Sequence, residues 1–171
     1  MSRSGIFYFV SFLIYLLLQA LLFKSFVLFN TAFCFLYVAF VLFLPIETST
    51  LALMFTGFAL GFMVDIFYDS LGLHAFTLVL IAYLRNYWLS VISPQGGYDA
   101  GTGPTLAGNG VQWFLVYTLP LIFLHHFVLF FVEAGGFSVF WYTMMKVIGS
   151  LLFTMTVIIL IQYLSTERRP V

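Results

Sequence analysis

Apolar residues run along the chain in long blocks separated by short polar gaps. The blocks at 5–23, 26–45, 49–68, 71–92, 112–132 and 138–164 each approach the roughly 18 or more apolar residues with which a helix crosses the hydrocarbon layer. Nowhere do apolar and polar positions alternate over short segments, as a transmembrane barrel requires, so helices are the remaining way to pair every backbone group inside lipid. The pattern predicts an all-α polytopic membrane protein, a compact bundle of about six transmembrane helices forming one domain over 1–171. The stretch SPQGGYDAGTGPTLAGNG at 93–110 is the one sizeable polar gap, and its Gly, Pro, Asn and Asp content predicts a long loop without regular structure. No internal repeat is visible. Block 5–23 follows Arg3, but its apolar run is too long for a signal peptide and no small-residue cleavage site follows, so a retained helix is expected.

Composition strengthens this picture. Hydrophobic residues make up 63% of the chain and charged residues 7%, against about one quarter charged in soluble domains. A formal net charge of zero leaves no broad basic field for nucleic acid or anionic lipid, although Arg168 and Arg169 are placed to touch headgroups. Six spans put both termini on one side. That side would hold Arg3, Arg168 and Arg169, with Arg85 near the same face, against Lys24 on the other; the excess predicts cytoplasmic termini and a cytoplasmic 93–110 loop. The lone cysteine, Cys34, falls inside the second block, cannot form an internal disulfide, and reads as a small buried apolar residue.

Enzymatic chemistry is mostly absent from the pattern. The chain has no phosphate-binding glycine loop, no His-Glu-x-x-His and no Cys-x-x-Cys, so no cofactor is expected. His125 and His126 are adjacent on a helix and diverge by roughly 100°, which favours interfacial or packing roles over a shared metal. Asp69, Ser70 and His74 are the residue types of a nucleophilic triad, yet they occupy one short turn without an elbow or oxyanion donors. The ionisable residues within the blocks are then the main question. Asp65, Arg85 and Lys146 would each cost roughly 2.5–3.5 kcal/mol at a helix centre, so each must turn inward or find a partner. Depth along the helices favours an Asp65–Lys146 ion pair that fixes registry, with Arg85 displaced toward the cytoplasm. Alternatively, Asp65 binds a proton or ion in a transport cycle, but the broken helices or paired half-sites of such carriers are not evident.

Gly57 and Gly61 precede Asp65 at four-residue intervals, a small-xxx-small row that lets another helix backbone approach closely. The simplest reading is packing within the chain, followed by a turn in which Asp69 and Ser70 cap the next helix and Gly72 takes the reversal. Gly57, Gly61, Asp65, Gly72 and His74 are therefore the candidate packing and interaction residues.

The segment GFALGFMVDIFYDSLGLHAF, continued by TLVLIAYL, resembles the central hairpin of the rod shape-determining protein MreD family. The resemblance rests on Gly57, Gly61, Asp65, Ser70, Leu71, Gly72, Ala75, Ala82 and Tyr83 and covers residues 50–90. It implies a non-enzymatic scaffold in the bacterial cytoplasmic membrane that helps maintain rod shape and lateral peptidoglycan synthesis. The implied partners are an MreC-like bitopic protein, a RodA-type polymerase with its transpeptidase, and MreB-like filaments. It also implies a fold similar to the substrate-binding subunits of energy-coupling-factor vitamin transporters. The alternatives are accordingly a vitamin-type binding subunit, expected to show a pocket with convergent polar groups near the outer face, and an ion-coupled carrier using Asp65.

Overall fold

The structure, a computed structural model, describes residues 3–98 and 103–165. The chain is mostly helical. Helix α1 (Arg3–Leu17) continues as a π-helical stretch, Leu18–Phe23, and is followed by a two-stranded hairpin, β1 (Val27–Leu28) and β2 (Ala32–Phe33), and a short helix α2 (Tyr37–Leu42). Helices α3 (Thr50–Tyr68), α4 (Leu73–Val91), α5 (Leu106–Asn109), α6 (Val111–Glu133) and α7 (Phe140–Leu164) complete the chain.

Four helical segments are long and apolar enough to cross a membrane: Gly5–Phe23, Thr50–Tyr68, Val111–Glu133 and Phe140–Leu164. They mark the chain as a membrane protein. Helix α4 has the same 19-residue length as α3, but its inward face carries His74, Thr77 and Arg85.

The expected second span is not a helix. Over 26–45 the chain forms the antiparallel hairpin with Val27 opposite Phe33 and Leu28 opposite Ala32, then an extended stretch, then the six residues of α2. From Cys34 to Leu42 every residue is buried, so this segment is the inside of the protein rather than a lipid-facing rod. Irregular backbone at membrane depth is tolerable only where protein supplies its hydrogen bonds, and here protein does. Phe33 N donates to Ser150 Oγ at 2.9 Å and Phe35 N to Thr154 Oγ1 at 3.1 Å, both on α7. Gln19, in the π-helical stretch, donates to Cys34 O at 3.1 Å and Tyr68 Oη at 2.7 Å and accepts from Tyr37 N at 3.3 Å. A π-helical insertion often marks a position where a helix is adapted to a specific contact, and Gln19 ties α1, the buried segment and α3 together.

The six-helix expectation is corrected accordingly, while the expected spans at 5–23, 49–68, 71–92, 112–132 and 138–164 correspond to elements within a few residues. The core follows from these contacts. Leu53, Leu60 and Val64 of α3, Leu78 and Ile81 of α4, Phe114 and Ile122 of α6, and Val147 and Ile158 of α7 all close on the buried segment. Cys34 is buried and unpaired as expected, in the irregular segment rather than in a helix. The 93–110 gap is not wholly irregular, since Thr105 caps α5 through Gly108 N and Leu106 N donates to Gln162 Oε1 at 3.2 Å. Residues 99–102 of that loop, and Arg168 and Arg169, on which the expected orientation leaned, lie outside the described residues.

Candidate functional site

Helices α3 and α4 form a tight hairpin, and the glycine row lies inside it. A Cβ on Gly61 would stand 2.5 Å from Ala75 Cα and 2.7 Å from His74 O, while one on Gly57 would stand 3.3 Å from Leu78 O. Gly61 is thus where the two backbones touch, and the row faces α4 rather than another chain. At the hairpin tip Asp69 (φ 54°) ends α3 in the left-handed conformation and Gly72 (φ 85°) occupies the N-cap of α4. The expected caps, Asp69 and Ser70, are therefore replaced, and the side chain that caps α4 comes from the preceding helix.

That side chain is Asp65. Its Oδ1 accepts from His74 N at 2.9 Å and its Oδ2 from Ala75 N at 2.9 Å, two of the donors that a helix start leaves without partners. Ser70 Oγ also donates to Oδ1 at 2.7 Å, and His74 Nδ1 lies 3.0 Å from the same oxygen. The carboxylate sits at the positive end of the α4 dipole, where an anion is stabilised. A carboxylate oxygen only accepts, so this geometry assigns an imidazole proton to Nδ1. The expected partner, Lys146, is elsewhere: its Nζ lies 3.9 Å from Glu133 Oε2 and 5.4–5.6 Å from the ring centres of Phe33, Phe130 and Tyr142. The Asp65–Lys146 pair is corrected to Asp65 with His74 and Lys146 with Glu133. Backbone N–H groups at the start of α4 satisfy the carboxylate without a cation from α7.

Arg85 mirrors this arrangement at the opposite end of the bundle. Fully buried, it donates through Nε to Tyr117 Oη at 2.9 Å and through Nη2 to the carbonyls of Leu42 at 3.3 Å, Pro45 at 3.4 Å and Leu44. These carbonyls belong to and follow the last turn of α2, the negative end of its dipole. Asn86 beside it holds Thr48 O and Thr50 Oγ1. Arg85 therefore closes the exit of the buried segment and has no part in an ion pair with Asp65.

Between these charges lies a buried polar cluster. His125 Nε2 lies 2.7 Å from Tyr37 Oη and 3.4 Å from Thr77 Oγ1, and His126 bridges Ile122 O at 2.7 Å and Thr154 Oγ1 at 3.1 Å. Both histidines are fully buried packing residues rather than interfacial ones. No group of three or more metal-ligating side chains occurs among the described residues. Ser70 and His74 do meet an aspartate, but it is Asp65, and the serine oxygen lies 2.8 Å from Nδ1, the nitrogen that already faces the carboxylate. A nucleophile needs the opposite nitrogen of a carboxylate-oriented imidazole, so this trio is a structural cap. Gln19, Tyr37, Tyr117 and Thr154 were not singled out by the sequence reading; the signal was a few hydrogen-bonding side chains in otherwise apolar blocks.

Two hollows flank the α3–α4 tip. One, about 610 Å³, opens between the hairpin strand β2, the tip and the end of α6, with Phe33, Phe35, Tyr68 and Phe130 as walls and Ser70, His74 and Glu133 among its polar members. The other, about 960 Å³, is a shallow apolar groove along α3 and α4 lined by Phe58, Phe62, Ile66, Phe76 and Val79. Comparison with protein-family models, with characterised proteins and with solved structures finds no match.

Proposed function

We propose that this protein is a non-enzymatic membrane scaffold of the bacterial rod (elongation) complex, seated in the cytoplasmic membrane with its termini in the cytoplasm and working beside an MreC-like bitopic protein. The observation that supports this reading is the contrast between buried charges that are capped within the chain and an aromatic exterior. Asp65 and Arg85 are each capped by a helix end of the chain itself, which suits a packing role for both charges. On the outside, Leu51, Phe55, Phe58, Phe62 and Ile66 form an exposed stripe along α3, continued by Phe76 and Tyr83 on α4. Such a face suits the broad packing of neighbouring transmembrane helices, in which association is driven by van der Waals fit. The resemblance of residues 50–90 to the MreD hairpin points the same way. The RodA-type polymerase with its transpeptidase and the MreB-like filaments complete the proposed assembly.

The interaction face in this reading is the phenylalanine stripe, because the glycine row is already occupied by α4. In a rod-shaped bacterium whose sole copy carries Phe58→Ala with Phe62→Ala, the expected outcome is normal membrane insertion, cells that widen toward spheres, and reduced pull-down of the MreC-like partner. Unchanged width and pull-down remove this face from the reading. Normal rod shape after complete deletion removes the reading itself.

A further inference from the structure

We propose that the groove along α3 and α4 takes one transmembrane helix of another chain, and that this helix carries a lysine or arginine where it leaves the membrane beside Asp69. The proposal rests on the scaffold reading and names the chemistry of what its phenylalanine stripe meets. Phe58, Phe62 and Ile66 recur at four-residue intervals and raise one ridge, on which the Phe58 and Phe62 rings stack at 5.8 Å. Phe76 and Val79 raise the facing ridge on α4, and the small Ala75, whose backbone lies against Gly61, keeps the floor between them low. From Phe58 to Asp69 the groove follows α3 for about 16 Å, three turns of a helix. Neighbouring helices pack by laying the ridges of one into grooves of this kind on the other.

Asp69 sets the charge of the occupant. It is exposed where the groove ends, directly after the membrane-length helix α3, and its carboxylate makes no hydrogen bond or ion pair among the described residues. The other carboxylate bordering the groove, Asp65, is spent on the start of α4. The lysines at this end of the bundle have other partners, since Lys24 Nζ donates to Phe67 O and Lys146 lies beside Glu133. The groove therefore ends in one uncompensated negative charge at the membrane boundary. The turn does not account for that charge. At φ 54° the backbone favours a short polar side chain, a demand that asparagine meets as well as aspartate. A lysine or arginine at the end of a transmembrane helix keeps its stem along apolar surface and its charge in the interface, which is where Asp69 stands. Such opposed charges choose the partner and fix its register more than they add affinity.

The test uses the full-length chain in phosphatidylcholine vesicles, with a donor fluorophore on Gln95→Cys in a Cys34→Ala background. The probes are two synthetic helices of about 20 leucines and alanines, identical except for lysine or glutamine next to one end of the apolar stretch, each with an acceptor at the other end. Saturable energy transfer to the lysine helix is expected, with the glutamine helix weaker by about threefold, the scale of an exposed ion pair. Asp69→Asn keeps the turn and removes the charge, so it should equalise the two probes. Val79→Trp is an independent arm: it fills the groove and should weaken binding of the lysine helix by about tenfold, while Leu152→Trp, at an exposed position of α7, should leave it unchanged. Absence of saturable transfer, equal binding of both probes to the parent chain, a lysine preference that survives Asp69→Asn, or indifference to Val79→Trp overturns the proposal. Loss of transfer when phosphatidylethanolamine replaces part of the phosphatidylcholine also overturns it and gives the groove to an amine-headed lipid. Cell shape does not enter this readout. Failure here beside rounded Phe58→Ala, Phe62→Ala cells removes only the named occupant, whereas binding here beside normal rods after deletion removes only the scaffold reading.

Discussion

At the scale of single residues, two charges inside the membrane layer are solved in the same way with opposite sign. The start of α4 leaves N–H groups without partners and the end of α2 leaves carbonyls without partners; each costs about 1–3 kcal/mol if buried unmet. Asp65 meets the first and Arg85 the second, so each ion and each helix end satisfies the other. That Asp65 needs a partner was legible in the sequence, because a carboxylate in an apolar block is costly wherever it lies. Which partner it takes was not legible, because backbone N–H groups exist at every position and only the fold decides which of them are orphaned. The consequence is measurable. Asp65→Ala should lower stability in detergent by on the order of 3 kcal/mol, read as a drop in melting temperature. Lys146→Ala added to it should restore nothing, since Lys146 answers to Glu133. Recovery in the double variant would reinstate the pair across α3 and α7.

Elements show both the strength and the failure of reading hydrophobic length. The long helices α1, α3, α4, α6 and α7 fall close to their predicted ranges, because a block that faces lipid or core along its whole length has only the helix with which to pair its backbone. Block 26–45 satisfies the same length rule and yet folds as a hairpin and a short helix. Hydropathy cannot separate lipid from protein interior as the apolar surroundings. The local signal that could have separated them is Asn30 with Thr31 in the first third of the block, where the chain takes left-handed conformations at Phe29 (φ 52°) and Asn30 (φ 58°) and turns back. The glycine row was legible as close packing, and its partner was the next helix. The two glycines are not equivalent, because an added Cβ meets backbone at 2.5 Å on Gly61 but only at 3.3 Å on Gly57. Gly61→Ala should therefore force the hairpin apart at a cost of about 1–3 kcal/mol, whereas Gly57→Ala should cost less than half of that. Thermal unfolding of the two variants side by side decides the matter, and equal losses would mean that α3 and α4 yield uniformly.

On the scale of the whole molecule, the irregular segment still carries the chain from one end of the bundle to the other. Its hairpin meets α7 at Ser150, and its last turn delivers Leu42 to Arg85 near the end of α4. The connection between α6 and α7 then lies with the α3–α4 tip, since Glu133 and Ser70 border the same cleft, while the segment after α4 lies at the far end. Labelling can check this arrangement without assuming an orientation. Cys34 is 1% exposed, and Cys34→Ala gives a cysteine-free background. Gln95→Cys and Ser138→Cys place reporters at two exposed positions on opposite ends without replacing a glycine of positive φ. An impermeant thiol reagent applied to intact cells should reach one reporter and spare the other until the membrane is opened. The arginine and lysine distribution makes Ser138→Cys the accessible one, which would open the aromatic cleft to the cell exterior. Labelling of both reporters in intact cells would mean that α6, the long helix between them, does not carry the chain across, and labelling of Gln95→Cys alone would turn the cleft toward the cytoplasm.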